Sequence, residues 1–331
     1  MSFRPFKPLV AVTQGDPAGI GGEVALKALK PKLSGSPVSY LMVGGFDSLQ
    51  KTARKLKIHI PLVRVDYPQA ISGKLAVLDL GGPSNVRWGK ISKDCGAAAV
   101  HYIEAAARLA LSGEVKAIVT APINKEAIHL SGSKFPGHTE MLAHLSKTKN
   151  FAMMMVGGPF KITLQSIHLS LADAVKKIKP AGVFEKLELT HRTMTTWFKI
   201  KNPRIAVAGL NPHAGENGAF GQEELAVLKP VIQKARARGW DVTGPHPPDT
   251  LFYWAAQGRY DAILCMYHDQ GLIPLKLTAF DSGVNLTLGL PFVRTSPDHG
   301  TAFDIAGKGK ARPNSMLAAL DLAEKLAGFR S

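Results

Sequence analysis

Short apolar runs recur along the chain, each closed by glycine, proline or a polar residue, with stretches of helical spacing between them. Leu9-Val10-Ala11-Val12-Thr13 is the first β-branched run and predicts a strand. Residues 40–43 before Gly44-Gly45, 75–78 before Gly81-Gly82-Pro83, and 116–120 before Ala121-Pro122 predict three more. An Ala-rich segment over 97–111 predicts a long helix. Further on, 151–156 and 162–167 read as neighbouring strands across Gly157-Gly158-Pro159. Residues 205–210 and 261–267 follow as two more. Strands alternating with helices at this rhythm predict an α/β protein built from parallel sheets covered by helices on both faces.

A chain of 331 residues suggests two α/β lobes. One lobe boundary is placed between Ser131 and Pro136. An apolar fraction of 45% suits a chain that buries a sizeable core. No stretch has the length of a transmembrane helix, and Met1-Ser2-Phe3-Arg4-Pro5 does not open a signal peptide, so a cytoplasmic protein without membrane contact is expected. With two cysteines, Cys95 and Cys265, neither a disulfide framework nor a four-thiolate zinc site is available. The net charge of +16 raises the question of nucleic acid. Its basic clusters, 51–57, 176–179 and 234–238, are dispersed over separate helical segments and lack interleaved aromatics. A solvated basic surface without a nucleic-acid partner is therefore expected.

Chemistry-bearing residues gather at the ends of the predicted strands. The runs closing near 167, 210 and 267 are followed by His168, His213 and His268. Neutral imidazoles suit a divalent metal, and three of them leave positions open for a substrate. No local metal motif such as HExxH is present. Residues 265–309 hold the densest set: His268, Asp269 and Gln270 delivered into a turn at Gly271, then Lys276, Asn285, Arg294 and the Gly-containing loop from Asp298 to Asp304. His138 and Thr139 open another helix, with Thr139 as its cap; His59, His101, His129, His144 and His191 read as ordinary residues of helices and strands. After the first strand, Gln14 to Glu23 contains four glycines, but neither GxGxxG nor a Gly-Lys-Ser/Thr follows, so a tight strand-to-helix turn is the reading.

The segments GDPAGIG, PINKEAI, PGHTEMLA, GLNPHAGENGAFG, MYHDQGLIPLK and GVNLTLGLPFVRTSPDHGTAFDIAGKG, in this order from Thr13 to Gly309, closely resemble the 4-hydroxythreonine-4-phosphate dehydrogenase family of pyridoxal phosphate biosynthesis. The resemblance implies a homodimer of two-lobed α/β/α subunits, similar in fold to isocitrate and isopropylmalate dehydrogenases. Its active site would lie in the interlobe cleft near the subunit interface. It implies one lobe of residues 1–135 with 300–331 that contributes to NAD binding, and another of 136–299 carrying metal ligands and the dimer interface. Metal ligands carried over are His168, His213 and His268, shared across the dimer, for one divalent ion per subunit (Zn, Mg, Mn or Co). Substrate contacts carried over are His138, Thr139, Lys276, Asn285 and Arg294. The 298–309 loop is similar to the loop that holds the adenosine of NAD in isopropylmalate dehydrogenases, which implies NAD or NADP bound through His299, Gly300, Thr301 and Asp304. Lys276, Asp249 and a relayed water stand as alternatives for the general base. Two departures from the family pattern are Gly22, where proline is usual, and Arg312, where the isopropylmalate loop has an adenine-contacting asparagine. The implied reaction is metal-dependent oxidation of a small phosphorylated substrate, 4-hydroxy-L-threonine 4-phosphate, followed by decarboxylation. The alternatives are the same oxidation of D-threonate or D-erythronate 4-phosphate, a metal hydrolase using the three histidines, and a basic nucleic-acid-binding protein.

Overall fold

In chain order, β1 (Leu9–Thr13), β2 (Ser39–Gly44), β3 (Leu62–Val65), β4 (Leu75–Asp79) and β5 (Ala117–Thr120) come first. Next are β6 (Ala152–Gly157), β7 (Phe160–Leu164), β8 (Ile205–Ala208), β9 (Val242–His246), β10 (Ala262–Cys265) and β11 (Val284–Leu288), and β12 (Val293–Pro297) closes the series. The structure is a computed structural model that describes residues 7–328. The chain divides into two compact units, one running up to Lys149 and resuming at Leu290, the other spanning Asn150–Gly289. The boundaries expected at 135/136 and 299/300 thus fall at 149/150 and 289/290. The reason is packing: the helix His138–Leu145 lies against the helix Lys93–Leu111, and β12 pairs with β5. His138, Thr139 and Arg294 accordingly belong to the first unit, while the three candidate metal ligands belong to the second.

In the first unit the strands run in the order β3-β4-β2-β1-β5-β12, and each strand runs parallel to its neighbours in that order. Val10, Ala11 and Val12 of β1, Leu41 to Val43 of β2 and Ile118 and Val119 of β5 are fully buried. Such unbroken apolar runs are what strands covered on both faces require. Because β1, β5 and β12 are adjacent and parallel, the residues after Thr13, Thr120 and Pro297 leave the sheet at one edge.

The second unit departs from the all-parallel expectation. Its order is β11-β6-β7-β10-β8-β9, with β11-β6 and β6-β7 antiparallel and the rest parallel. The short connection Gly157-Gly158-Pro159, with Gly158 at φ +52°, makes a hairpin, and a hairpin can join only antiparallel strands. Nor does the chain turn at Gly271: His268 to Ala279 is one helix. A Cβ at Gly271 would lie 2.6 Å from the Ile162 side chain, so this glycine lets the helix approach β7 closely. His59 also lies outside regular elements, contrary to expectation. Among the described residues, no helix is long and apolar enough to cross a membrane.

Candidate functional site

In the first unit the site starts at the end of β5. Asp16 N–H donates to the Pro122 carbonyl at 2.9 Å, which ties the loop after β1 to the turn after β5. Arg294, on β12, is only 2% exposed. Its Nε and Nη2 donate to Thr120 Oγ1 at 3.1 and 2.6 Å. Burial lowers its pKa to about 10, against the opposing pull of Glu140, so the guanidinium is still charged at neutral pH. Beside it, His138 is held well below the usual imidazole range by burial first and the Arg294 charge second, with the Ala121 backbone opposing. The ring is therefore neutral, and its Nε2 is shut off from solvent without a hydrogen-bond partner. Thr139 does not cap this helix. Gly137 is the N-cap and makes no side-chain bond, while Thr139 lies buried in the first turn.

Thr13 Oγ1 and Asp16 Oδ2 are likewise buried without partners. Asp16 Oδ1 accepts from Ala18 N–H at 2.8 Å, yet burial dominates and pushes this carboxyl up to about 6. Buried polar atoms are nearly always hydrogen-bonded, so bare ones concentrated at the carboxyl ends of parallel strands mark a place built for a polar ligand.

The 298–309 loop packs on the same unit. Ile20 N–H donates to the Thr301 carbonyl at 3.0 Å, and a Cβ at Gly19 would come within 2.9 Å of Thr301. Gly307, at φ +71°, rests on Trp88, with room for no side chain. Lys55 Nζ lies 4.2 Å from that indole's centroid. Past the loop, buried Glu23 accepts from Ala311 N–H at 3.0 Å and from Lys27 Nζ at 2.6 Å. Lys27 Nζ also donates to the Gly309 and Ala311 carbonyls at 2.9 and 2.8 Å. Of the expected cofactor residues, Thr301 is buried, whereas Gly300 and Asp304 are exposed. His299 Nδ1 contacts the Gly300 carbonyl and its Nε2 is buried and bare.

In the second unit, none of the three strands ends on its histidine. β7, β8 and β10 stop at Leu164, Ala208 and Cys265, and the histidines follow on the connections or, for His268, on the first residue of a helix. The structure brings His168 and His268 together, ring centroids 6.1 Å apart, on one cavity with Ser166, Tyr267 and Asp269. His268 Nδ1 sits 2.6 Å from Asp269 Oδ1, an arrangement that leaves Nε2 available as a ligand. Two imidazoles lining one cavity are chemically suited to a divalent ion. His213 sits elsewhere, on Pro212–Gly218, where residues 213–217 all have positive φ and the ring lies 6.0 Å from Phe220. Among the described residues, no group of three or more His, Cys, Asp or Glu is arranged to hold a metal.

Lys276 lies on the same helix as His268, its Nζ 5.3 Å from the Phe280 ring centroid. Asn285 is on β11, its Oδ1 buried without a partner and thus an acceptor in want of a donor. Asp249 is exposed in the first turn of Pro248–Ala256. Sequence reasoning assigned no role to Thr120, Asp16, Glu140, Glu23 or Lys27. For Thr120 and Asp16 the available signal was their place just at or after a strand end.

A two-lobed α/β fold like this one is found in isocitrate dehydrogenase from Methylococcus capsulatus, similar at a TM-score of 0.50 and 13% identity over 98% of this chain and 86% of that one. At that identity the likeness concerns the fold alone. Two further matches are much closer. A crystal structure of 4-hydroxythreonine-4-phosphate dehydrogenase from Klebsiella pneumoniae has a TM-score of 0.89 and 42% identity, covering 97% of this chain and 99% of that one. A D-threonate 4-phosphate dehydrogenase of Salmonella typhimurium is 45% identical over 96% of this chain and 98% of its own. Residues 37–323 match the family profile of the pyridoxal phosphate biosynthetic protein PdxA, and the chain belongs to that family.

Proposed function

We propose that this oxidoreductase oxidises 4-hydroxy-L-threonine 4-phosphate with NAD or NADP, aided by a divalent metal. The observation that carries the reading is the buried, charged Arg294 beside a neutral His138 whose Nε2 has no partner. A buried guanidinium that stays charged beside Glu140 suits the holding of an anion, and its fork matches a phosphate or carboxylate. Thr139 and Lys276 add donors for the anionic ends of the substrate, and the bare Asn285 Oδ1 accepts from a substrate N–H or O–H. A divalent ion held by His168, His213 and His268 would lower the pKa of the substrate hydroxyl and stabilise the oxyanion. Asp269 orients His268 for that role. The loop around His299, Gly300, Thr301 and Asp304 receives NAD or NADP, with Glu23 and Lys27 fixing where it ends. Oxidation at the hydroxyl carbon gives 2-amino-3-oxo-4-phosphooxybutanoate. This 3-oxo acid loses carbon dioxide, because the ketone accepts the electrons, and yields 3-amino-2-oxopropyl phosphate. Lys276, Asp249 or a relayed water takes the hydroxyl proton.

The functional unit in this reading is a homodimer that shares its metal ligands across the interface. Ile273, Leu277 and Phe280 are 61%, 83% and 71% exposed at one-turn spacing on the helix that carries His268 and Lys276. An apolar stripe of that kind suits burial against a second copy. Similar proteins bear two substrate names, so the second reading is oxidation of D-threonate 4-phosphate. The test is NADH absorbance with each substrate, with NADP as an alternative oxidant, before and after treatment with a chelator. A larger kcat/KM for 4-hydroxythreonine 4-phosphate that collapses with chelator supports the first reading. A larger value for D-threonate 4-phosphate establishes the second.

A further inference from the structure

The three histidine-bearing segments of the second unit are far apart in sequence, yet a single buried side chain links two of them. Gln270 is 6% exposed. Its Oε1 accepts from Met266 N–H at 2.7 Å, and its Nε2 donates to the Gly209 carbonyl at 2.6 Å. Met266 stands two residues before His268, and Gly209 leads into the turn that carries His213. The third segment joins the same point. Ser166 Oγ donates to the Met266 carbonyl at 2.9 Å, and Gln165 N–H donates to the Cys265 carbonyl at 2.8 Å, which anchors the chain just before His168.

We infer that Gln270 is the positioning residue that holds the His213 and His268 segments in register within each subunit, with Ser166 tying the His168 segment to the same point. The inference rests on the metal reading given above. Only a side chain that accepts at one end and donates at the other can satisfy both Met266 N–H and the Gly209 carbonyl, and a primary amide does so without charge. A glutamate at 270 keeps the acceptor for Met266 but sets a carboxylate oxygen against the Gly209 carbonyl. Gln270→Glu therefore releases the His213 side of the link while leaving its volume almost unchanged. Residues that orient ligands in this way typically contribute 10- to 100-fold to metal affinity.

The His213 turn makes this anchoring consequential. Residues 213–217 lie in the left-handed region at φ between 39° and 80°, and four of them are not glycine. Each such residue costs roughly 1–2 kcal/mol, and consecutive ones persist only where the surroundings hold them. Buried Glu224 supplies part of the hold by accepting from Leu210 and Asn211 N–H at 2.7 Å each and from Asn211 Nδ2 at 2.9 Å. Gln270 supplies the anchor immediately before it, at Gly209.

The test is titration of metal-free protein with cobalt(II), followed by its visible absorption, for wild type, Gln270→Glu, Ser166→Ala, His268→Ala and Leu251→Ala. Leu251 is a fully buried core residue of the same unit and serves as a control for lost stability. Gln270→Glu is expected to raise the cobalt Kd at least tenfold and Ser166→Ala several-fold, while Leu251→Ala lowers the melting temperature and leaves the Kd unchanged. A wild-type Kd in Gln270→Glu overturns the inference; should that variant not fold, an unchanged Kd in Ser166→Ala does so. Equal cobalt binding by wild type and His268→Ala would instead overturn the metal reading on which it rests.

Discussion

Replacing Arg294 with methionine separates a ligand-binding cation from a structural one. Burial holds the guanidinium pKa down at about 10, against the pull of Glu140. Relative to its usual value, this corresponds to about 3 kcal/mol of unfavourable free energy for keeping the charge inside. A base with a lowered folded pKa destabilises the fold throughout the range where it is protonated, and relief comes only as pH rises past about 10. At neutral pH the cost is therefore constant. Methionine fills similar volume and removes that cost, but it also removes the hydrogen bonds of the guanidinium, those to Thr120 Oγ1 among them, and its attraction to Glu140, worth ~1 kcal/mol each in net terms. The two sides nearly offset, so the unliganded variant should be as stable as wild type to within about 1 kcal/mol, equivalent to ~2–4 °C in melting temperature for units of this size. Binding, by contrast, should suffer. Truncating one member of a buried, hydrogen-bonded charge pair costs ~2–5 kcal/mol, which is a loss of about 30-fold or more in kcat/KM. Differential scanning fluorimetry with and without inorganic phosphate or substrate, alongside steady-state kinetics, reads both quantities. A variant that melts several degrees lower while keeping near wild-type kcat/KM refutes the argument and makes Arg294 a structural residue.

Arg294→Lys keeps the charge but loses the fork, so steady-state assays should show kcat/KM lower by about tenfold or more with little change in melting temperature. For Asp16, whose carboxyl is raised to about 6, the favourable protonated state is fully present below the ordinary carboxylate pKa and is lost as pH rises through about 6. Wild type should thus lose about 3 kcal/mol of stability from this group between pH 4 and 7, and urea unfolding of Asp16→Asn should lack that slope. Lys27→Met releases the Gly309 and Ala311 carbonyls, and the expected result is a KM for NAD raised several-fold with kcat nearly unchanged. His213→Ala should abolish chelator-sensitive turnover while circular dichroism shows an intact fold; activity near wild type in metal-saturated protein would remove His213 from the ligand set.

How much of this was legible in the sequence depends on the range of the interactions involved. Strands such as Leu9–Thr13 could be read residue for residue, because a doubly covered parallel strand is written as one unbroken apolar run. The antiparallel direction of β6 and β7 is not written in their apolar runs, because direction follows from the length of the connection Gly157-Gly158-Pro159. Gly271 misled for a related reason. A glycine after a strand reads as a turn, but its lack of a side chain here serves the approach of a helix to Ile162, a contact more than a hundred residues away in the chain.

The candidate site divides along the same line. Imidazoles and guanidinium could be nominated by residue type and by their place after predicted strands. What makes them act is set by atoms that carry no motif. Burial and Glu140 together set the state of Arg294, Thr120 fixes where its guanidinium sits, and burial with Arg294 holds the His138 pKa down. The left-handed run at 213–217 is the extreme case. Glycine at 215 and 218 announces a turn, but His213, Ala214, Glu216 and Asn217 have no intrinsic preference strong enough to adopt that conformation in succession. Glu224, which satisfies three donors at its entrance, and Gln270, which holds Gly209, anchor the run alongside bonds within it such as Phe220 N–H to the Gly215 carbonyl. A buried carboxylate and a buried amide are thus both committed to one strained turn, a device that residue types along the chain do not announce.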